Sequence, residues 1–100
     1  MISIVKGDVF EFDVEVEDVD LTYIDKVTLH IPKLNIKEEA SFINEVYKIR
    51  IEGNVTREFP VGFFNYSLII TFTDGEEYTA LTDEKLEVIL RRETKDASES

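Results

Sequence analysis

From Val9 to Glu17 apolar and acidic positions alternate without a break. Phe10, Phe12, Val14 and Val16 take the even places, and Glu11, Asp13, Glu15 and Glu17 the odd ones. Successive side chains on a strand point to opposite faces, so this segment predicts a half-buried strand with one oily face and one acidic face. A helix would scatter the same residues around its circumference. The pattern recurs down the chain. Val27, Leu29 and Ile31 alternate with Lys26, Thr28 and His30; Tyr47, Ile49 and Ile51 alternate with Lys48, Arg50 and Glu52. Phe64, Tyr66, Leu68, Ile70 and Phe72 form the longest inward face.

Turn chemistry separates these runs. Ile2 to Val5 reads as a short edge strand, followed by a Lys6-Gly7-Asp8 turn. Residues 17–25 read as a corner, with Leu21 and Ile24 as apolar plugs. Pro32 ends the strand before it, because proline cannot donate to a ladder. Leu34, Ile36, Phe42 and Ile43 mark weaker β-segments, and Lys37-Glu38-Glu39-Ala40 admits a helical turn. Gly53-Asn54 breaks the next strand, and Phe59-Pro60-Val61-Gly62 makes a corner. Asp74-Gly75 is the best hairpin signal in the chain. Glu77 to Leu81 returns from that hairpin, and Leu86, Val88 and Leu90 give a last strand. Residues 92–100 hold no apolar side chain except Ala97, which predicts a disordered tail or linker.

These spacings predict an all-β fold: one immunoglobulin-like antiparallel β-sandwich of about seven to eight strands over residues 1–91. No strand–helix–strand alternation is present, which argues against a parallel sheet. The expected core is Phe10, Phe12, Val14, Val16, Val27, Leu29, Ile31, Tyr47, Ile49, Ile51, Phe64, Tyr66, Leu68, Ile70, Phe72, Leu86, Val88 and Leu90.

Charge narrows the partners. The formal net charge is −11, and residues 1–20 hold seven acids against Lys6 alone. A field of this sign repels phosphate and anionic lipid, so neither nucleic acid nor a membrane surface is an expected partner. The apolar fraction of 43% belongs to a folded domain, and no apolar run approaches a membrane span. The opening residues do not read as a signal peptide. The chain has no cysteine, which leans toward a reducing compartment or an assembly that supplies stability.

No catalytic group is expected. His30, the one histidine, lies on the polar side of its strand and is expected to face an acid such as Asp13 or Glu11. The serines lack a nucleophile-elbow setting, and there is no phosphate loop, no His/Cys metal spacing and no cofactor motif. Glu11, Asp13, Glu15, Asp18 and Asp20 form the only candidate cation cluster, for calcium, which wants six to eight oxygens. Against it, strand spacing splays carboxylates, and Lys26 and Lys48 are placed to neutralise this face. Phe63, Tyr23 and Tyr78 fall off the inward registers and are candidates for a sugar platform or an interaction surface.

The order of the motifs resembles a known group. Lys6-Gly7-Asp8-Val9-Phe10-Glu11-Phe12 resembles an opening KGD-x-F-x-F strand. Asp20-Leu21-Thr22, then Lys26-Val27-x-Leu29-x-Ile31, resembles its second step. Phe59-Pro60-Val61-Gly62-Phe63-Phe64-x-Tyr66-x-Leu68-x-Ile70 resembles a third, and Asp74-Gly75, Tyr78-Thr79 and Lys85-Leu86-Glu87-Val88 a fourth. Together they resemble the β-sandwich domains of tailed-phage and prophage structural proteins, including the N-terminal domain of baseplate upper proteins, over about residues 5–90. Phe64 stands where tyrosine is commoner, and Glu84 where glycine is expected. Only a short tail follows, whereas baseplate upper proteins continue into a shaft or receptor-contacting region, so receptor binding is not carried over. The resemblance implies a non-enzymatic structural protein, located in the virion or in the bacterial cytoplasm during assembly. Its partners would be other virion proteins or further copies of itself in a homo-oligomer. The alternative is a sugar- or calcium-binding module of a bacterial surface protein.

Overall fold

The computed structural model describes residues 2–90; the expected tail at 92–100 lies outside them. Eight strands are present: β1 (Ile2–Val5), β2 (Phe10–Val14), β3 (Ile24–Ile31), β4 (Ile36–Glu39), β5 (Ser41–Ile43), β6 (Val46–Ile51), β7 (Gly62–Phe72) and β8 (Glu77–Ile89). One helical turn, α1 (Gly53–Thr56), joins β6 to β7.

The strands form two sheets. The larger has the order β1-β8-β7-β3-β4, and the smaller β2-β6-β5. This is an immunoglobulin-like order: β2 pairs with β6 in the small sheet, while β8, β7 and β3 lie side by side in the large one. Alternation explains the packing. Val27, Leu29 and Ile31 of β3 and Leu68 and Ile70 of β7 face Ile49 and Ile51 of β6 across the dry interior, and all are buried. Phe10 is buried beside them, with Phe12 and Val14 half-buried, while Glu11 and Asp13 face solvent.

Several details depart from the sequence reading. β1 runs parallel to β8, pairing Ile2 with Leu86 and Ile4 with Val88. The expected purely antiparallel sandwich therefore has one parallel edge. No crossover helix is needed, because the turn at Lys6–Asp8 hands the chain from the large sheet into the small one. Gly7 takes φ +86 in that turn, a conformation that suits glycine. β2 ends at Val14 rather than Glu17. Val14 pairs with Tyr47, and β6 begins one residue earlier, so the ladder runs out of partner. Residues 37–39 extend β4 rather than forming a helical turn, held by pairing of Thr28 with Glu39 and His30 with Lys37.

β8 is one strand where two were expected. Its register against β7 slips between Tyr66 and Leu68 and again between Leu68 and Ile69. Asp83, at φ 55, supplies the bend that keeps the strand continuous. Leu90 is 68% exposed, not a core residue, because β8 stops at Ile89. The core instead gains Ile4, Ile24 and Phe59. The Asp74-Gly75 hairpin forms as expected: Gly75 has φ +91, and its N–H donates to the Phe72 carbonyl at 2.9 Å.

Candidate docking surface

The acidic face of β2 is a cross-strand charge ladder. Register sets Glu11 opposite Arg50 and Asp13 opposite Lys48. Arg50 donates to Glu11 at 2.7 Å and to Glu52 at 2.8 Å, and Lys48 donates to Asp13 at 2.8 Å. The bond to Asp13 is the main reason the Lys48 ammonium titrates above its ordinary value, and the bonds Arg50 donates to Glu52 and Glu11 act likewise on its guanidinium. These pairs are open to water and add little to stability. They fix the outward register and leave those carboxylates engaged with cations.

The remaining candidate acids lie elsewhere. Glu15 follows the end of β2, and Asp18 sits at φ 65 in the loop beyond it. Asp20 accepts from the backbone N–H of Thr22 at 3.0 Å and from its hydroxyl at 2.8 Å, opening the 3-10 turn Leu21–Tyr23. The backbone bond, with the hydroxyl second, holds the Asp20 carboxyl below the usual carboxylate range. Among the described residues no group of three or more metal-ligating side chains converges. Lys26 does not serve this face as expected; it pairs with Glu39 at 3.5 Å.

His30 faces neither Glu11 nor Asp13. Those acids belong to the small sheet, whereas His30 stands between Lys37 of β4 and Ser67 of β7 in the large one. The reading failed because alternation gives the face of a residue but not the sheet of its neighbour.

The three candidate aromatics are exposed but do not form one platform. Tyr23 is in the 3-10 turn, and its carbonyl accepts the Thr73 N–H at 2.9 Å. Tyr78 pairs with Ile70 near the hairpin. Phe63 pairs with Glu87 at the opposite end of β7, roughly 23 Å from Ile70 at about 3.3 Å per residue.

A different feature emerges at the hairpin end. β7 and β8 outreach β2 and β6, so the inner face is only partly covered toward the hairpin. The result is a groove of about 480 Å³ lined by Val14, Val16, Val27, Leu68, Ile70 and Phe72. Tyr78 and Ala80 of β8 close one side, and Glu15, Glu17, Asp18 and Val19 the other. Three acids and no base touch it. Above it, residues 77–85 of β8 are exposed throughout. β1 pairs with β8 only from Leu86 to Ile89, so the outer edge of 77–85 has no partner strand among the described residues. The one sequence signal for this was length: the apolar alternation of β7 runs longer than that of β6.

No protein-family model matches the sequence, and no curated protein matches it. Among solved structures the chain is similar to the fibronectin(III)-like modules of Clostridium thermocellum CbhA, at 16% identity and a TM-score of 0.60 over 90% of this chain. The chain spans 42% of the length of that structure. A Bacteroides vulgatus protein assigned as a glycoside hydrolase aligns at 15% identity and a TM-score of 0.46, over 93% of this chain and 17% of that one. The first likeness shows the sandwich fold, and the second carries no weight. No described helix is long and apolar enough to cross a membrane.

Proposed function

We propose that this domain is a non-enzymatic docking module of a phage or prophage virion, fitted into a tail or baseplate by contacts between subunits. The observation that carries the reading is the uncovered hairpin end. An apolar groove opening at the end of the sandwich core and a free strand edge lie side by side there. Free edges invite pairing with another chain, and exposed apolar patches mark interaction sites. The ordered motifs from Lys6 to Val88 support the virion setting, through their resemblance to baseplate-type sandwich domains. The partners are other virion proteins, or further copies of the chain.

The calcium and sugar alternatives draw no support from the geometry. The acids of β2 are engaged by Lys48 and Arg50, and Phe63 stands at the far end of β7 from Tyr78.

Size exclusion coupled to light scattering, alone and after co-expression with the products of neighbouring genes, tests the proposal. A stable complex with a tail or baseplate product is expected. A strict monomer at high concentration, binding none of those products, overturns it.

A further inference from the structure

The free edge of β8 and the groove beside it have complementary demands. β1 already occupies the line next to β8 at Leu86–Ile89. A strand continuing that line toward the hairpin would run along residues 77–85. Its backbone would complete their ladder, and every second side chain would point to the inner face. That face is the one Ile70 and Leu68 present, because Tyr78 pairs with Ile70 and Leu81 with Leu68. The inward side chains of the added strand would therefore meet Tyr78 and Ala80 of β8 first, and beyond them the mouth of the groove at the half-buried Val16 and Phe72.

Charge selects among occupants. Glu15, Glu17 and Asp18 rim the groove, and the open stretch of β8 adds Glu77, Asp83 and Glu84 against Lys85. A second copy presenting the same edge would bring together two chains of net charge −11, with only Lys85 on each edge to offset Glu77, Asp83 and Glu84. The chain's own residues 91–100 hold a single apolar residue, Ala97, and cannot fill an apolar groove. The fitting occupant is a foreign one that brings cations.

We propose that the open edge of β8 from Glu77 to Lys85, with the apolar groove beside it, receives an extended segment of a partner protein in which apolar residues alternate with Lys or Arg. This rests on the docking reading above and names its face and the chemistry of its partner. Strand addition supplies affinity through main-chain hydrogen bonds, and the groove reads the alternate side chains. The acids of the rim steer the basic residues and exclude further acidic copies.

The test is an amide-resolved NMR titration of the full chain with a capped nonapeptide of alternating lysine and valine. Its counterpart of alternating glutamate and valine is the control. Saturable shifts confined to residues 14–19 and 77–85 are expected, weakened several-fold by added salt. The glutamate peptide, and the doubly reversed variant Glu17→Lys with Glu77→Lys, should each bind at least about tenfold more weakly. Both changes are on exposed positions, and a dispersed spectrum shows that the variant is folded. Absence of saturable shifts, shifts centred on β4 or β5, or equal binding of the acidic peptide overturns the assignment. So does a self-dimer through β8. If these results fail while a virion protein still binds, the docking module stands and its face is elsewhere. If the peptide binds at β8 while no virion protein does, the face stands and the virion setting fails.

Discussion

The hydroxyl of Thr56 donates to the carbonyl of Asp8 at 2.8 Å and accepts from the N–H of Gly7 at 3.0 Å. Thr56 is fully buried and, tyrosines aside, is the one buried polar side chain among the described residues. Through it, α1 satisfies the backbone of the turn that carries the chain from one sheet to the other. Lys6 adds a second tie, donating to the Phe59 carbonyl at 2.6 Å. Thr56→Val keeps the shape and strands both backbone groups. It should cost about 1–3 kcal/mol, read by urea unfolding, while Thr56→Ser should recover most of that. Equal stabilities for the two variants would remove the hydroxyl from the account.

The same junction predicts a contrast between two glycines. A Cβ on Gly53 would lie 2.5 Å from the Gly7 carbonyl oxygen, so backbone must move. A Cβ on Gly75 meets open space but sits at φ +91. Gly53→Ala should cost about 1–3 kcal/mol through overpacking. Gly75→Ala should cost about 1–2 kcal/mol through conformation alone. Gly75→Asn should recover part of the second loss, since asparagine tolerates positive φ, and Gly53→Asn should recover none of the first.

Core burial ranks apolar positions within β7 against one just past the end of β8. Leu68 and Ile70 are 4% and 5% exposed, against 68% for Leu90. Replacing either of the first two by Ala should cost about 2–5 kcal/mol, and Leu90→Ala no more than about 0.5 kcal/mol. Thermal melts of the three variants check this. A cost under about half a kcal/mol at both Leu68 and Ile70 would show the inward register to be wrong.

Burial raises the Tyr66 hydroxyl above its ordinary value of 10.0, and the Glu84 carboxylate adds to the rise. The folded state thus holds this proton more tightly than the unfolded chain. The stability linked to it is intact below about pH 10 and is lost as pH climbs through the folded-state value. Tyr66→Phe keeps the edge-on contact with Phe12 at 6.3 Å and removes the titration. Denaturant midpoints measured from about pH 8 to 11 should fall less steeply for the variant than for the parent. Lys48 is common to both proteins and cancels in the difference. Parallel profiles would refute the linkage.

What could be read from the residues follows a physical boundary. The inward faces of β3, β6 and β7 were legible because alternation is a local property of the backbone. Val27, Ile49 and Leu68 announce their burial without reference to any neighbour. β8 was read as two strands because Thr82-Asp83-Glu84-Lys85 offers no apolar position, yet its ladder with β7 carries it through. Burial of Thr56 and Phe59 depends on how a turn packs against α1, which no periodicity encodes. The groove was hidden for a related reason. It arises from the unequal lengths of strands in different sheets, so Val16 and Phe72 look like any other inward pair until both sheets are assembled. His30 shows the same limit, since its outward face was legible and its neighbours were not.

The parallel seam between β1 and β8 constrains the order in which this domain can be made. β1 finds its mate only when β8 has left the ribosome. Until then Ile4 has no ladder partner, and the large sheet lacks its edge. Contacts this distant along the chain slow the search for the native state. Completion of the domain is therefore a late, cooperative event, and a nascent chain halted before Leu86 would remain open to proteases and to mispairing.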